Sequence, residues 1–279
     1  MLNYFQIMLL AIIQGACELL PVSSSAHVIA AEKLMHLDPS SPEMTMLIVM
    51  LHTGTMFAVI GYFWNTWRTR YFSSRAAFMA NAKLVAIATL MTALVGGLLL
   101  VLIERVVLRG SAHAEVEQLF GNPIVMAAGL AAAGVLIVVS GLRRHRGSAT
   151  PLGARQAAWV GAVQGLCLPF RGFSRSGSTI STALFAGVER LEAEEFSFAL
   201  AVVLTPPVIA REAWRLVKSR PEVGDLSAAL VPSLFGMACS FVAGWIALKW
   251  LATWLERGHW HWFGFYCLAA SIVVLTMGR

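Results

Sequence analysis

The sequence predicts an all-α integral membrane protein: six transmembrane helices and two re-entrant helix–loop–helix hairpins, arranged as an inverted repeat in one polytopic domain over residues 1–279. Three observations predict it. The chain is 58% hydrophobic and only 13% charged, against about 25% charged in soluble domains. Its apolar residues gather in runs that can cross a hydrocarbon core of about 30 Å. Two serine-rich segments then interrupt this pattern, one near the start and one past the middle.

The first repeat covers roughly residues 1–142 and opens with Tyr4–Cys17, an apolar helical stretch. Pro21 and the run Ser23–Ser25 break it, and Val28–Leu37 returns as a short helix, giving a hairpin over residues 4–37. Residues 1–17 lack a basic n-region and an A-x-A cleavage site, so they are read as part of the mature protein. Thr45–Trp64, Leu84–Ile103 and Pro123–Leu142 are the next three spans.

The second repeat covers roughly residues 155–279. Gln156–Leu168 runs inward, Pro169–Gly177 is irregular and Ser178–Val188 returns, giving a hairpin over residues 156–188. Phe196–Ala210 follows as a short span kinked at Pro206-Pro207, with Glu194 and Glu195 at one interface and Arg211 at the other. Leu226–Leu248 and His261–Met277 complete the set. Irregular backbone at membrane depth is tolerated only when buried in protein or lining a wet cavity, so both broken segments are read as re-entrant. Gln14-Gly15-Ala16-Cys17 and Gln164-Gly165-Leu166-Cys167 share Gln-Gly-x-Cys, and a proline and a serine-rich turn follow each. An odd number of spans between the hairpins inverts the second relative to the first.

The net charge of +6 is read as loop arginines meeting anionic headgroups. No basic face with exposed aromatics points to nucleic acid. Arg68, Arg70, Arg75, Arg143, Arg144, Arg146 and Arg155 fall on one side, and Lys33, Arg105, Arg109, Arg211, Arg215, Lys218 and Arg220 on the other. The tight cluster Arg143–Arg146 marks the first side as cytoplasmic, so the first hairpin enters from outside. Trp64, Trp67, Trp254, Trp260 and Trp262 read as interfacial anchors. Gly96, Gly97, Gly129, Ala133 and Gly134 read as helix-packing positions. Cys17, Cys167, Cys239 and Cys267 read as small buried hydrophobes, His52 as a satisfied packing residue, and Glu189–Glu195 as a solvated loop.

The chemistry lies in the two interruptions. Ionisable groups at membrane depth cost roughly 2.5–3.5 kcal/mol each and mark function. Gln14 and Glu18 are four apart, on one helix face. Ser24 and His27 are three apart around the turn into the return helix, so Glu18 and His27 can converge on one small volume. The bland alternative, a Glu18–His27 pair that merely satisfies itself, leaves the hydroxyl run unexplained. In the second interruption, Gly172 and Gly177 let the backbone curl around a ligand, and N–H groups at the start of the return helix favour an anion. Arg175 adds a forked donor suited to phosphate, with a lipid-headgroup contact as its alternative role. Arg171 fits the headgroup role better. A carboxylate, a histidine and a serine can then act on the bound anion.

At these motifs the chain resembles the undecaprenyl-diphosphate phosphatase, or bacitracin-resistance, family. Gln14–His27 is similar to its glutamate-rich signature ending in Pro-Val-Ser-Ser-x-x-His, and Gly172–Ser181 to its phosphate-binding motif. Glu195-Phe196-Ser197-Phe198 is similar to a further family stretch, so the resemblance covers the whole chain. It implies hydrolysis of the terminal phosphate of the C55 lipid carrier diphosphate for cell-wall synthesis, in the bacterial inner membrane, and the loop charges read above turn the site toward the periplasm. It implies a divalent cation, Mg²⁺ or Ca²⁺, held by Glu18. It also implies Glu18, Ser24 and His27 as catalytic residues, Ser24 being the candidate nucleophile and His27 the acid/base. Ser174, Arg175, Ser176 and Thr179 are the implied phosphate binders, with Gln14 beside them. Gln14 stands where the family usually has glutamate, and the approach Leu168–Gly172 is one residue longer than expected. A polyprenyl-phosphate flippase is the alternative, since inverted repeats with broken helices also build transporters. The phosphatidic-acid-phosphatase pattern is excluded, because Ser181 stands where its histidine belongs. Pairing as a homodimer is left open.

Overall fold

The computed structural model describes residues 2–39, 41–107, 122–143, 150–218 and 226–277. Arg109, Arg144, Arg146 and Arg220 lie outside the described residues, as do the side chains of Arg215 and Lys218. Among the described residues ten α-helices follow one another: α1 (Tyr4–Leu19), α2 (Ser24–Leu34), α3 (Pro42–Arg70), α4 (Arg75–Leu102), α5 (Pro123–Leu142), α6 (Ala154–Leu166), α7 (Arg175–Phe185), α8 (Arg190–Lys218), α9 (Leu226–Glu256) and α10 (Trp260–Met277). A π-turn, Ile103–Val107, extends α4.

The starts are written locally. Asn3 opens α1 with a reciprocal box, accepting from the Gln6 N–H at 2.8 Å while its own N–H donates to Gln6 Oε1 at 3.0 Å. Ser41 before Pro42, and Asn122 before Pro123, cap α3 and α5 in the same spirit, with proline at the first helical position where no N–H is needed.

Among the described residues five helices are long and apolar enough to cross a membrane: α3, α4, α5, α8 and α9. The sixth expected span, α10, has 18 residues, a rise of about 27 Å. The expected short span Phe196–Ala210 is instead the centre of α8, which runs unbroken for 29 residues with Pro206 and Pro207 inside it. Its start absorbs the stretch expected as a solvated loop. Glu194 and Glu195 are each 1% exposed, and Arg70 from the end of α3 donates to Glu195 Oε2 at 2.7 Å. The two broken segments are helix–break–helix, as their prolines and serines require, but both return helices start earlier than expected, α2 at Ser24 and α7 at Arg175.

The halves of the chain clasp each other. α1 packs on α9, α6 packs on α4, and α5 packs on α10. Glycines set the first two contacts. A side chain at Gly15 would meet Ser240 O and Ala243 Cβ of α9, both at 2.7 Å, and one at Gly165 would meet Gly96 N and Val95 Cβ of α4, both at 2.9 Å. The shared Gln-Gly-x-Cys thus marks the same position in two equivalent interfaces. Gly97, expected as a packing position, faces open space. Trp67 and Trp260, expected at an interface, are buried, and the Trp260 indole N–H reaches Ser140 Oγ at 3.2 Å and Ser181 Oγ at 3.0 Å.

Direction alternates along the chain. Arg70 at the end of α3 meets Glu195 near the start of α8, Arg190 at that start donates to the Glu256 carbonyl at the end of α9, and Arg143 after α5 donates to the Phe185 carbonyl at the end of α7. Tyr4 at the start of α1 instead meets Phe235 in the first half of α9. The two broken segments therefore enter the bundle from opposite ends. Outside, Leu90, Leu94 and Leu98 form a bare row on α4, 60%, 56% and 69% exposed, a surface that hydrocarbon must cover.

The glycine contacts carry a stability test. Gly165→Ala should lower the thermal unfolding midpoint of the detergent-solubilised protein, equivalent to about 1–3 kcal/mol of overpacking. Gly97→Ala should be neutral or raise it, since a helical alanine is favoured by up to about 1 kcal/mol where nothing is struck.

Candidate active site

The two breaks meet. After α1 the backbone leaves helical geometry at Leu20 and turns through Ser23, whose φ of 67° is in the left-handed region, an unusual setting for a side-chain-bearing residue. Exposed carbonyls at such a turn need donors, and side chains supply them. Leu20 O accepts from Ser176 Oγ at 3.2 Å, Pro21 O from Cys267 Sγ at 3.2 Å, and Ser23 O from His27 Nδ1 at 2.8 Å. The second break is fixed against α5: Gly172, φ +102°, lies on the Met126 backbone, and Gly129 admits the Arg171–Phe173 backbone. A side chain at Gly177 would strike Ile137 and Pro21, so its absence lets the tips of the two breaks touch.

Glu18 stands at the junction. Its Oε1 accepts from Arg175 Nη2 at 3.2 Å. Its Oε2 accepts from Ser24 Oγ at 2.6 Å and from Gln14 Nε2 at 3.3 Å. Gln14 Nε2 also contacts His52 Nδ1 of α3 at 2.9 Å. Glu18 and Arg175 each keep 21% of their side-chain surface open, so the ion pair is reachable while mostly shielded. Arg175 Nη1 is buried and has no hydrogen-bond partner among the described residues. The cluster offers one carboxylate in contact with a serine hydroxyl, beside a guanidinium with an unused donor. That set can bind an oxyanion and activate a hydroxyl against it.

The structure thus joins Gln14, Glu18, Ser24 and Arg175. It places the other candidates differently. His27 lies in the first turn of α2, but its Nε2 pairs with Tyr266 OH at 2.6 Å on a ring stacked 5.7 Å away. None of its hydrogen bonds among the described residues goes to Glu18 or Ser24. Ser174 spends its hydroxyl capping α7, accepting from Gly177 N at 3.2 Å. Ser176 serves the Leu20 carbonyl, and Thr179 bonds the Arg175 carbonyl at 2.8 Å and Ser197 Oγ at 2.6 Å. These three residues are at most 3% exposed, so they build the second break from inside.

His52 is the polar neighbour of this cluster that sequence reasoning set aside as packing. Tyr266, which holds His27, carried no signal at all. For His52 the usable signal was that a buried imidazole needs a polar partner, and Gln14 was the polar residue in the facing broken segment.

A family model described as bacitracin resistance protein BacA matches residues 7–273. The chain is 55% identical to undecaprenyl-diphosphatase 2 of Acinetobacter baylyi, over 99% of its own length and 98% of the relative's. It is 33% identical to an undecaprenyl-diphosphatase of Desulfatibacillum aliphaticivorans, over 99% of both chains. It is 32% identical to one of Korarchaeum cryptofilum, over 98% of both.

Proposed function

The chain belongs to the bacitracin resistance protein BacA family, and we propose that it hydrolyses undecaprenyl diphosphate to undecaprenyl phosphate and inorganic phosphate, recycling a cell-wall lipid carrier. The observation that carries this reading is Glu18 shared between Arg175 and Ser24. A flippase has no use for a serine hydroxyl held on a carboxylate.

Arg175, whose Nη2 meets Glu18 and whose side chain stays partly open, binds oxygens of the terminal phosphate. Ser24 Oγ attacks the terminal phosphorus and gives its proton to Glu18, which already accepts that hydrogen bond. As the O–P bond forms, the bond to the bridging oxygen breaks, and its electron pair leaves with undecaprenyl phosphate. That leaving group is a stable phosphate anion, with a second pKa of about 6, so it departs without protonation. Water then attacks the phosphoserine phosphorus, the Ser24 Oγ–P bond breaks, Glu18 returns its proton to Ser24 Oγ, and phosphate is released. His27, one helical turn beyond Ser24, takes the proton of the attacking water in this second step, for which its Nε2 leaves the Tyr266 hydroxyl.

Among the described residues no group of three His, Cys, Asp or Glu side chains is placed to hold a metal ion alone. Mg²⁺ commonly uses one or two carboxylates together with substrate phosphates and waters. Glu18 suits that mode, since Arg175, Ser24 and Gln14 take three of a carboxylate's roughly four acceptor positions. Glu18 and the diphosphate oxygens would hold Mg²⁺ or Ca²⁺, which neutralises phosphate charge when bound.

In the membrane, α10 serves as the sixth span and the two broken segments as re-entrant hairpins of an inverted repeat. Their entry from opposite ends and the paired α1–α9 and α4–α6 contacts support this. We assign the end carrying Arg70, Arg143 and Arg190 to the cytoplasm of the inner membrane, and the site to the periplasmic side.

Purified protein should release phosphate from undecaprenyl diphosphate, lose that activity to a chelator and recover it with Mg²⁺ or Ca²⁺. Intact substrate after incubation with the cation would overturn the phosphatase reading. Arg175→Lys should lose most of the turnover, because a point charge does not replace a planar fork; near-normal rates would remove Arg175 from phosphate binding. Ser24→Ala should abolish turnover, and acid quenching of wild type on labelled substrate should trap phosphoserine. A loss of only about 1–3 kcal/mol, the worth of one hydrogen bond, would move the attack to water.

A further inference from the structure

We propose that His52 is a positioning residue that holds Glu18 against Ser24 through the side-chain amide of Gln14. The inference rests on the phosphatase reading of the same site and goes beyond it, since none of the family-like stretches described above lies on α3. The amide orientation is settled by charge. Gln14 Nε2 touches both Glu18 Oε2 and His52 Nδ1, at 3.3 and 2.9 Å. Turned over, the amide would set its oxygen against a carboxylate oxygen with no proton between them. Gln14 therefore donates both its hydrogens, and His52 Nδ1 is the acceptor of the second.

The consequence falls on one oxygen. Glu18 Oε2 receives Gln14 and also the 2.6 Å bond from Ser24, while Oε1 receives Arg175. Arg175 draws the carboxylate from one side, and the Gln14–His52 pair holds it from the other. Gln14 has three side-chain torsions, so its amide holds Glu18 firmly only if its far side is tied.

His52 is itself built on a rigid frame. Gly54 brings the α3 backbone against Met237 and Phe241 of α9, and Gly15, beside Gln14, brings α1 against Ser240 and Ala243 of the same helix. Ser240 Oγ donates to Leu51 O at 3.0 Å, one residue before His52, and Thr55 Oγ1 donates to the His52 carbonyl at 2.9 Å. α9 thereby fixes α1 and α3 at the level where Gln14 meets His52. A support shell of this kind is what keeps a reactive pair in register.

The test is a double-mutant cycle on purified protein, with steady-state kinetics on undecaprenyl diphosphate and an unfolding midpoint for each variant. His52→Leu should lower kcat about 10-fold or more, the usual worth of a hydrogen bond to a charged network, with KM little changed. His52→Gln, which offers an amide oxygen to Gln14, should restore most of it. Gln14→Leu with His52→Leu should be no worse than Gln14→Leu alone, because the second change removes a link already cut. Additive losses, failure of His52→Gln to rescue, or a His52→Leu enzyme with wild-type kcat would overturn the proposal and leave the phosphatase reading intact. A wild type that does not hydrolyse the diphosphate would overturn both. Should His52→Leu unfold early, the rescue by His52→Gln still decides, since it refills the site.

Discussion

The ion pair between Glu18 and Arg175 is the interaction on which the rest of this structure depends. It joins residues 157 positions apart, Glu18 in the last turn of α1 before the first break and Arg175 at the start of α7 after the second. In an apolar chain neither charge has a cheap place to go. A shielded pair at best breaks even against desolvation, so its presence reports use rather than stability. Around it every local irregularity has a reason: the left-handed Ser23, the carbonyls of Leu20, Pro21 and Ser23 taken up by side chains, and the absent side chain at Gly177.

The second break divides its labour unevenly. Arg175 presents its charge to Glu18 at the junction of the breaks, while Ser174, Ser176 and Thr179 hold the backbone that aims it. A hydroxyl-rich motif beside an arginine looks like a row of ligand donors in sequence. In three dimensions most of its oxygens satisfy a helix start and a foreign carbonyl, which a buried turn demands before any ligand arrives. The arginine's aim is the product of those bonds.

Most of the helices were legible in the sequence, because long apolar runs with Ser-Pro and Asn-Pro starts have few other solutions. Both breaks were legible too, from Pro21 and the serine runs. What failed to show was whatever depended on a distant partner. Glu195 looks like part of a solvated loop until Arg70 arrives from α3. Trp67 and Trp260 look like interface residues until the core closes over them. His52 lies in an apolar run that reads identically whether the imidazole faces leucine or an amide. Of the site, Gln14, Glu18, Ser24 and Arg175 could be picked out by type and spacing. That Glu18 rather than His27 touches Ser24 could not, because the turn at Ser23 sets it.

The crossed clasp of the two halves has a bearing on how the chain is made. α1 leaves the ribosome first, yet its glycine seat is on α9, which is almost the last helix to appear. Glu18 must likewise wait for Arg175. Until then the growing chain carries an uncompensated carboxylate and an unfilled helix face through the insertion machinery. Contacts so distant in sequence form late and slowly. A chain that stops short of α9 is thus not a smaller version of this protein but an unfinished one, open to rejection by the cell's surveillance of nascent membrane chains.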